Sequence, residues 1–224
     1  MAYLSEAEHV RVSAAVAAAE AATDGEIVTI VAGWSDEYRD VALHWAVLKL
    51  LSWLALLALW PGLAERIHAA FAGPWAPLAT PAALFTIALI LATLAFLAAQ
   101  AFFAWRRMRI AFTPPATKAR RVRRRAVALF RTAAEARTKA KTGVLLYLSL
   151  AEHRAEIVAD AAIHSKVAPE VWGDAMAALI SAVREGRTGD GIAEAVTQIG
   201  AVLAEHFPRS EGDTNELPDR LIEL

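Results

Sequence analysis

Residues 82–105 read AALFTIALILATLAFLAAQAFFAW, twenty-four positions without a charged side chain; Thr86, Thr93 and Gln100 are the polar exceptions. A second stretch, Ala42–Trp60 (ALHWAVLKLLSWLALLALW), carries one full charge in 19 residues, Lys49, beside His44. As helices rising 1.5 Å per residue they reach about 36 and 28 Å, against a bilayer hydrocarbon core of about 30 Å. Aromatic residues stand at both ends, Trp60 and Trp75 on one side, Phe102, Phe103 and Trp105 on the other, as expected at membrane interfaces. Core helices of soluble proteins are seldom so long and so uniformly apolar. The pair therefore reads as a transmembrane hairpin occupying residues 42–105, with spans 42–60 and 82–105. Lys49, about 10 Å inside its span, can snorkel outward. The segment between the spans, 61–81, holds four of the nine prolines and reads as a short surface loop.

The two spans absorb an apolar excess that is otherwise hard to place. The 224 residues are 57% hydrophobic with a mean hydropathy of +0.37, where soluble domains sit near 45–50%. Seven Trp and eight Phe exclude a disordered chain. The absence of Cys excludes disulfides, thiolate nucleophiles and Cys-ligated zinc or iron–sulfur centres.

A net charge of −1 conceals a strong asymmetry. Residues 106–141 hold thirteen Lys or Arg and a single acid, Glu135. Positive charge directly after a span marks the cytoplasmic side, and a hairpin returns both ends to one face of the bilayer. Both termini are thus expected in the cytoplasm, at the plasma membrane. The first 35 residues lack the basic-then-apolar pattern of an export signal. Arg106, Arg107, Arg109, Lys118, Arg120, Arg121, Arg123, Arg124 and Arg125 form a candidate surface for anionic lipid headgroups, each worth about 1 kcal/mol near the membrane. Nucleic acid is the competing partner for an Arg run, but the position beside a span favours lipid.

Residues 1–41 and 106–208 read as two parts of one interrupted domain, followed by an acidic tail over 209–224. Ser5-Glu6-Ala7-Glu8 is a capping box opening an Ala-rich helix to about Ala22, with Gly25 as its C-cap. Glu26–Ala32 (EIVTIVA) is a β-branched strand. Val122, Ala126, Leu129, Phe130 and Ala133 recur with helical period. Gly143–Leu150 (GVLLYLSL) is apolar throughout, as a strand covered on both faces would be. Glu152-His153-Arg154 turns the chain into a partner strand, Glu156–Ile163. Two further helices follow, one carrying Trp172, Met176, Leu179, Ile180 and Val183, the other Ile192, Ala195, Val196, Ile199, Val202 and Leu203. The expected fold is α/β, a small α/β/α sandwich on a mixed three- to four-stranded sheet with an inserted transmembrane hairpin.

Most catalytic signatures are missing: no phosphate loop, no G-x-S-x-G, no H-E-x-x-H and no D-x-D-x-[TV]. Gly189-Asp190-Gly191 reads as the turn that starts a helix. His153, His164 and His206 lie at element boundaries and read as surface or capping residues. The carboxylate of interest is Asp160, inside an apolar strand on the face of Val158 and Ala162. A buried carboxylate needs a partner, a metal or solvent. Asp24 and Glu26 open the first strand; if they converge with Asp160, the three suit Ca²⁺ or Mg²⁺. Alternatively Asp160 accepts backbone hydrogen bonds at a strand end while Asp24 and Glu26 face water.

Thr23-Asp24-Gly25-Glu26-Ile27, Thr142 to Leu150 (TGVLLYLSL), Glu156-Ile157-Val158-Ala159-Asp160, Trp172, Ile199-Gly200, Phe207-Pro208 and Asn215-Glu216-Leu217-Pro218 together resemble the TPM-domain family. The likeness spans nearly all of the non-membrane residues, in the form interrupted by two spans. It implies an α/β/α sandwich described as a weak acid phosphatase, in a family that includes thylakoid-lumen proteins of photosystem II repair, bacterial membrane proteins and relatives similar to calcium-binding modules. On that likeness Asp160 takes the family's acidic position. Where members continue with Arg-Gly-Ile, this chain has Ala161-Ala162-Ile163, without the cation or the permissive glycine that a phosphate would use. The expected function is a membrane-anchored accessory or interaction module for membrane-protein assembly or maintenance. The alternatives are a weak metal-assisted phosphatase using Asp160 with Asp24 or Glu26, and an anionic-lipid-surface protein.

Overall fold

The computed structural model describes residues 3–73, 75, 77–133, 142–211 and 219–224. It divides into two compact units, residues 37–114 and the remainder, 1–36 with 115–224. Glu135, Arg137, Lys139 and Lys141 of the basic run, residues 212–218 of the tail and the Asn215–Pro218 motif lie outside the described residues.

In the larger unit, Ser5 opens helix α1 (Glu6–Glu20) with both halves of the capping box in place. The Ser5 hydroxyl faces the Glu8 backbone N–H at 3.4 Å, and the Glu8 carboxylate accepts from the Ser5 N–H at 2.8 Å. The Ser5 contacts hold the Glu8 carboxyl below its usual range. The helix ends at Ala21 rather than at Gly25, because Thr23 is already bridged to Pro208. Gly25 instead makes room for α9 (Thr188–His206), since a Cβ there would meet Leu203 Cδ1 at 2.9 Å. Strand β1 (Glu26–Ala32) follows as the sequence pattern requires, every residue of it buried.

Helix α6 (Pro115–Ala133) leads into β2 (Gly143–Ser149), β3 (Arg154–Ala159) and the short α7 (Ala161–His164). A 3₁₀ turn, Pro169–Trp172, then precedes α8 (Gly173–Arg184) and α9. Strand β4 (Ile222–Glu223) closes the chain. The sheet order is β3-β2-β1-β4. Strand β1 runs parallel to β2, Glu26 opposite Gly143 and Ala32 opposite Ser149. Strand β3 runs antiparallel to β2, and β4 parallel to β1.

Period-two alternation assigns the two faces. Val28, Ile30, Ala32, Leu145 and Tyr147 meet Val122, Ala126 and Phe130 of α6. Ile27, Val31, Val144, Leu146 and Leu148 meet the stripes of α1, α8 and α9, including Val16, Leu179 and Ile199. Helices on both faces of a mixed sheet make the α/β/α sandwich. Gly200 allows α9 against α1, since a Cβ there would lie 2.5 Å from Ala19 Cβ. Strand β4 is tied to the start of the chain: the Glu223 carboxylate accepts from the Tyr3 and Leu4 N–H groups and bonds His9.

The second unit contains α2 (Arg39–Leu59), α3 (Pro61–Ala72), α4 (Pro81–Phe102) and α5 (Arg106–Ala111). The segment read as a surface loop is largely helical, because Pro61 takes the first-turn position where its missing N–H is harmless. Helices α2 and α4 are long and apolar enough to cross a membrane. Small buried residues, Ala46 on α2 and Ala92 and Ala99 on α4, let the hairpin close tightly. Trp45, Phe102, Phe103 and Phe112 form an aromatic cluster at its open end. Lys49 lines a cavity with Ala99 and Phe103 in this cluster.

Candidate functional site

Three carboxylates singled out by the sequence lie along one end of the sheet, where β1 and β2 begin. Gly143 links two of them, Glu26 and Asp160. Its Cα is the partner of Glu26, its carbonyl accepts from the Asp160 N–H at 3.0 Å, and its N–H donates to Asp160 Oδ2 at 2.9 Å. Thr142, one residue earlier, donates its hydroxyl to the Asp24 carbonyl at 2.8 Å.

Strand β3 stops at Ala159, so Asp160 is not inside it. It is the N-cap of α7, extended (φ −61°, ψ 158°) and buried, with its carboxylate turned to the Gly143 N–H rather than to the helix it precedes. The Asp24 carboxylate is taken by the Ser210 N–H at 2.7 Å. Glu26 does not face water; it is buried at the mouth of β1. The three are neighbours without the convergence a hard cation needs: among the described residues, no group of three or more His, Asp or Glu is placed to hold a metal.

The sequence reading missed the acid that the fold perturbs most among the described residues. Glu20 ends α1 on its buried stripe, following Val12 and Val16, and its Oε1 accepts the Ile27 N–H at 2.8 Å. Burial, then repulsion from Glu26 and Asp219, pushes its carboxyl up to about 8, against the pull of the Ile27 N–H. Asp219, which precedes β4, also shares a hydrogen bond with it. Glu20 is thus a neutral acid at pH 7, bridging the last turn of α1, the start of β1 and the returning chain end. A signal was present: the i, i+4, i+8 spacing of Val12, Val16 and Glu20 puts a carboxylate on a core stripe.

The basic segment is partly engaged. Arg121 and Arg124 converge on Asp36 at 3.0 and 3.1 Å, and Arg123 reaches Glu156 at 3.3 Å. In the hairpin unit Arg106 and Arg109 share Glu37 at 3.3 and 3.8 Å. Arg107, Arg120 and Arg125 are exposed, and Lys118 is half-buried. At the opposite end of the sheet, the buried Glu152 accepts from the Ser35 N–H and the Ser149 hydroxyl, and Ser35 meets Tyr147 Oη at 3.0 Å. Burial, only partly offset by Ser35, raises the Tyr147 phenol.

Among the described residues, a mixed four-stranded sheet with α6 on one face and α1, α8 and α9 on the other, interrupted after β1 by two long apolar helices, defines the class: an α/β sandwich with an insertion. Residues 106–202 match the family model of the TPM domain, and the chain carries that domain. The match begins after the apolar helices, so β1, which the sheet needs for its centre, comes from the segment before them. The NMR structure of the BA42 protein from the psychrophilic bacterium Bizionia argentinensis has the same fold, with a TM-score of 0.56 at 16% identity over 100% of this chain and 97% of that one. No curated protein matches the chain.

Proposed function

We propose that the protein is a membrane-anchored TPM-domain module that holds its α/β unit at the cytoplasmic face of the plasma membrane and assists assembly or maintenance of membrane proteins. The observation that carries this reading is the outward surface of α2 and α4. Helices of a soluble core bury their apolar side chains, whereas here Leu59, Phe85 and Leu89 are 86%, 77% and 68% exposed. Exposed apolar surface on this scale needs an apolar solvent or a partner. The basic run that follows α4 supports the cytoplasmic orientation.

Alkaline carbonate extraction of membranes from expressing cells tests the anchor: the chain stays with the pellet and leaves only with detergent. Release by carbonate alone defeats the proposal. Tags on both termini, digested in inside-out vesicles, test the orientation; protection of either terminus refutes it. A second reading, anionic-lipid binding, draws on the exposure of Arg120, Arg123 and Arg125 along α6. Salt-sensitive binding to anionic vesicles beyond that of the anchor alone would support it.

A further inference from the structure

Strand β3 is an edge of the sheet among the described residues. Its inner ladder fixes which backbone groups point outward. The Asp160 N–H to Gly143 carbonyl bond marks a hydrogen-bonded pair. Antiparallel alternation from there turns Val158, Glu156 and Arg154 toward β2, and leaves the N–H and C=O groups of Ala155, Ile157 and Ala159 facing away.

A groove follows that edge. A cavity of 490 Å³ runs along Ala155–Ala159 beside Trp172 and Met176, with Arg123 and His164 at its rim. A second, of 730 Å³, continues it past the start of β3, sharing Ala155 and Met176 and adding Arg154 and Arg184. Six strand residues make a trough about 20 Å long, the dimension of an extended peptide rather than of a small molecule.

The two walls differ in chemistry. Side chains of Arg154, Glu156 and Val158 share the α6 side, where Arg123 neutralises Glu156. Those of Ala155, Ile157 and Ala159 share the α8 side with Met176 and Trp172. The α6-side wall therefore keeps the positive charge of Arg154, whose guanidinium also donates to the Pro115 carbonyl at 3.3 Å, and the α8-side wall is apolar as far as Arg184 at the end of that helix. Arg184 is exposed at the end of the trough, and Glu152, the other acid there, is buried with Ser35 and Ser149 as partners. An added strand with acidic residues at alternate positions and apolar residues between them satisfies both walls and the free backbone groups together.

We infer that the β3 edge is a docking site for an extended, acidic–apolar alternating segment of a partner protein, which joins the sheet as a further strand. This rests on the interaction-module reading above and names the kind of partner it would engage. A fluorescently labelled octapeptide of alternating glutamate and valine, titrated into the detergent-solubilised full chain, is the direct probe. It binds at least tenfold more tightly than its lysine–valine counterpart, and binding weakens with salt. Arg154→Ser with Arg184→Ser lowers affinity at least fivefold and flattens that salt dependence.

Ala155→Pro or Ala159→Pro removes one outward N–H, leaves the β2 ladder intact and lowers affinity at least tenfold. Should these variants fold poorly, methylating the probe's amides at alternate positions tests the same bonds on the unaltered chain, and one of the two methylation phases abolishes binding. Equal affinity for the lysine peptide, or indifference to methylation in both phases, overturns the inference. So does a concentration-dependent dimer lost on Ala159→Pro, which would make a second copy the occupant. Carbonate extraction reads the anchor and peptide titration reads the groove, so either can fail alone.

Discussion

Replacing Glu20 with Gln should make the α/β unit more stable at pH 8 and change almost nothing at pH 4.5. The wild-type carboxyl ionises near 4.5 in the unfolded chain and near 8 in the folded one. Below pH 4.5 it is neutral in both states and adds no pH-dependent cost. Between 4.5 and 8 the unfolded chain releases a proton that the folded chain keeps, so stability falls as pH rises; above 8 the loss is complete. The full separation corresponds to about 4.8 kcal/mol at 1.36 kcal/mol per unit. Partial access to water screens this to the order of 2–3 kcal/mol. Gln keeps an oxygen for the Ile27 N–H and offers Asp219 a donor without a titratable proton. Urea unfolding of the detergent-solubilised full chain, followed by near-ultraviolet circular dichroism from pH 4.5 to 8.5, measures the difference. Wild type should lose about 2–3 kcal/mol relative to Glu20→Gln across that window. Parallel pH profiles for the two proteins would refute the placement of Glu20 as a buried neutral acid.

Asp160→Ala leaves the buried Gly143 N–H without its side-chain acceptor and should cost about 1–3 kcal/mol, while Asp160→Asn, which retains an acceptor, should cost less than half as much; chemical denaturation compares them. If hydrolysis of a generic phosphomonoester occurs and is lost in a well-folded Asp160→Asn, the residue is catalytic as well as structural. Gly200→Ala drives a methyl into Ala19 and should destabilise by about 1–3 kcal/mol despite the better helix propensity of Ala, lowering the thermal midpoint. Removing the exposed charges of Arg120 and Arg125 should weaken binding of the detergent-solubilised chain to anionic lipid micelles by about fivefold per arginine at low salt, with no change on neutral micelles.

The readable parts of the chain share one property: each is decided by residues near in sequence. The Ser5–Glu8 capping box, the β1 and β2 strands and the α6 stripe of Val122, Ala126 and Phe130 follow from spacing alone, and all are present. Strand β3 was legible as a hairpin partner but not in its limits. Its end at Ala159 depends on the Gly143 N–H waiting across the sheet for the Asp160 carboxylate. Helix α3 was hidden by Pro61, which sits at the start of the helix where a proline is tolerated. The two-residue β4 carries no period to detect, and its partner β1 lies near the other end of the chain.

Composition and periodicity settled α1, β1, β2, α6, α8 and α9, the apolar character of α2 and α4, and the α/β layering, because local sterics and the alternation of apolar side chains act over a few residues. Which carboxyl loses water was settled only by folding. Glu20 becomes a neutral acid because β1 offers it an N–H and a segment almost two hundred residues away brings Asp219 beside it. Desolvation and repulsion depend on distance in space, and a helical period says nothing about which distant segment will close over its buried face.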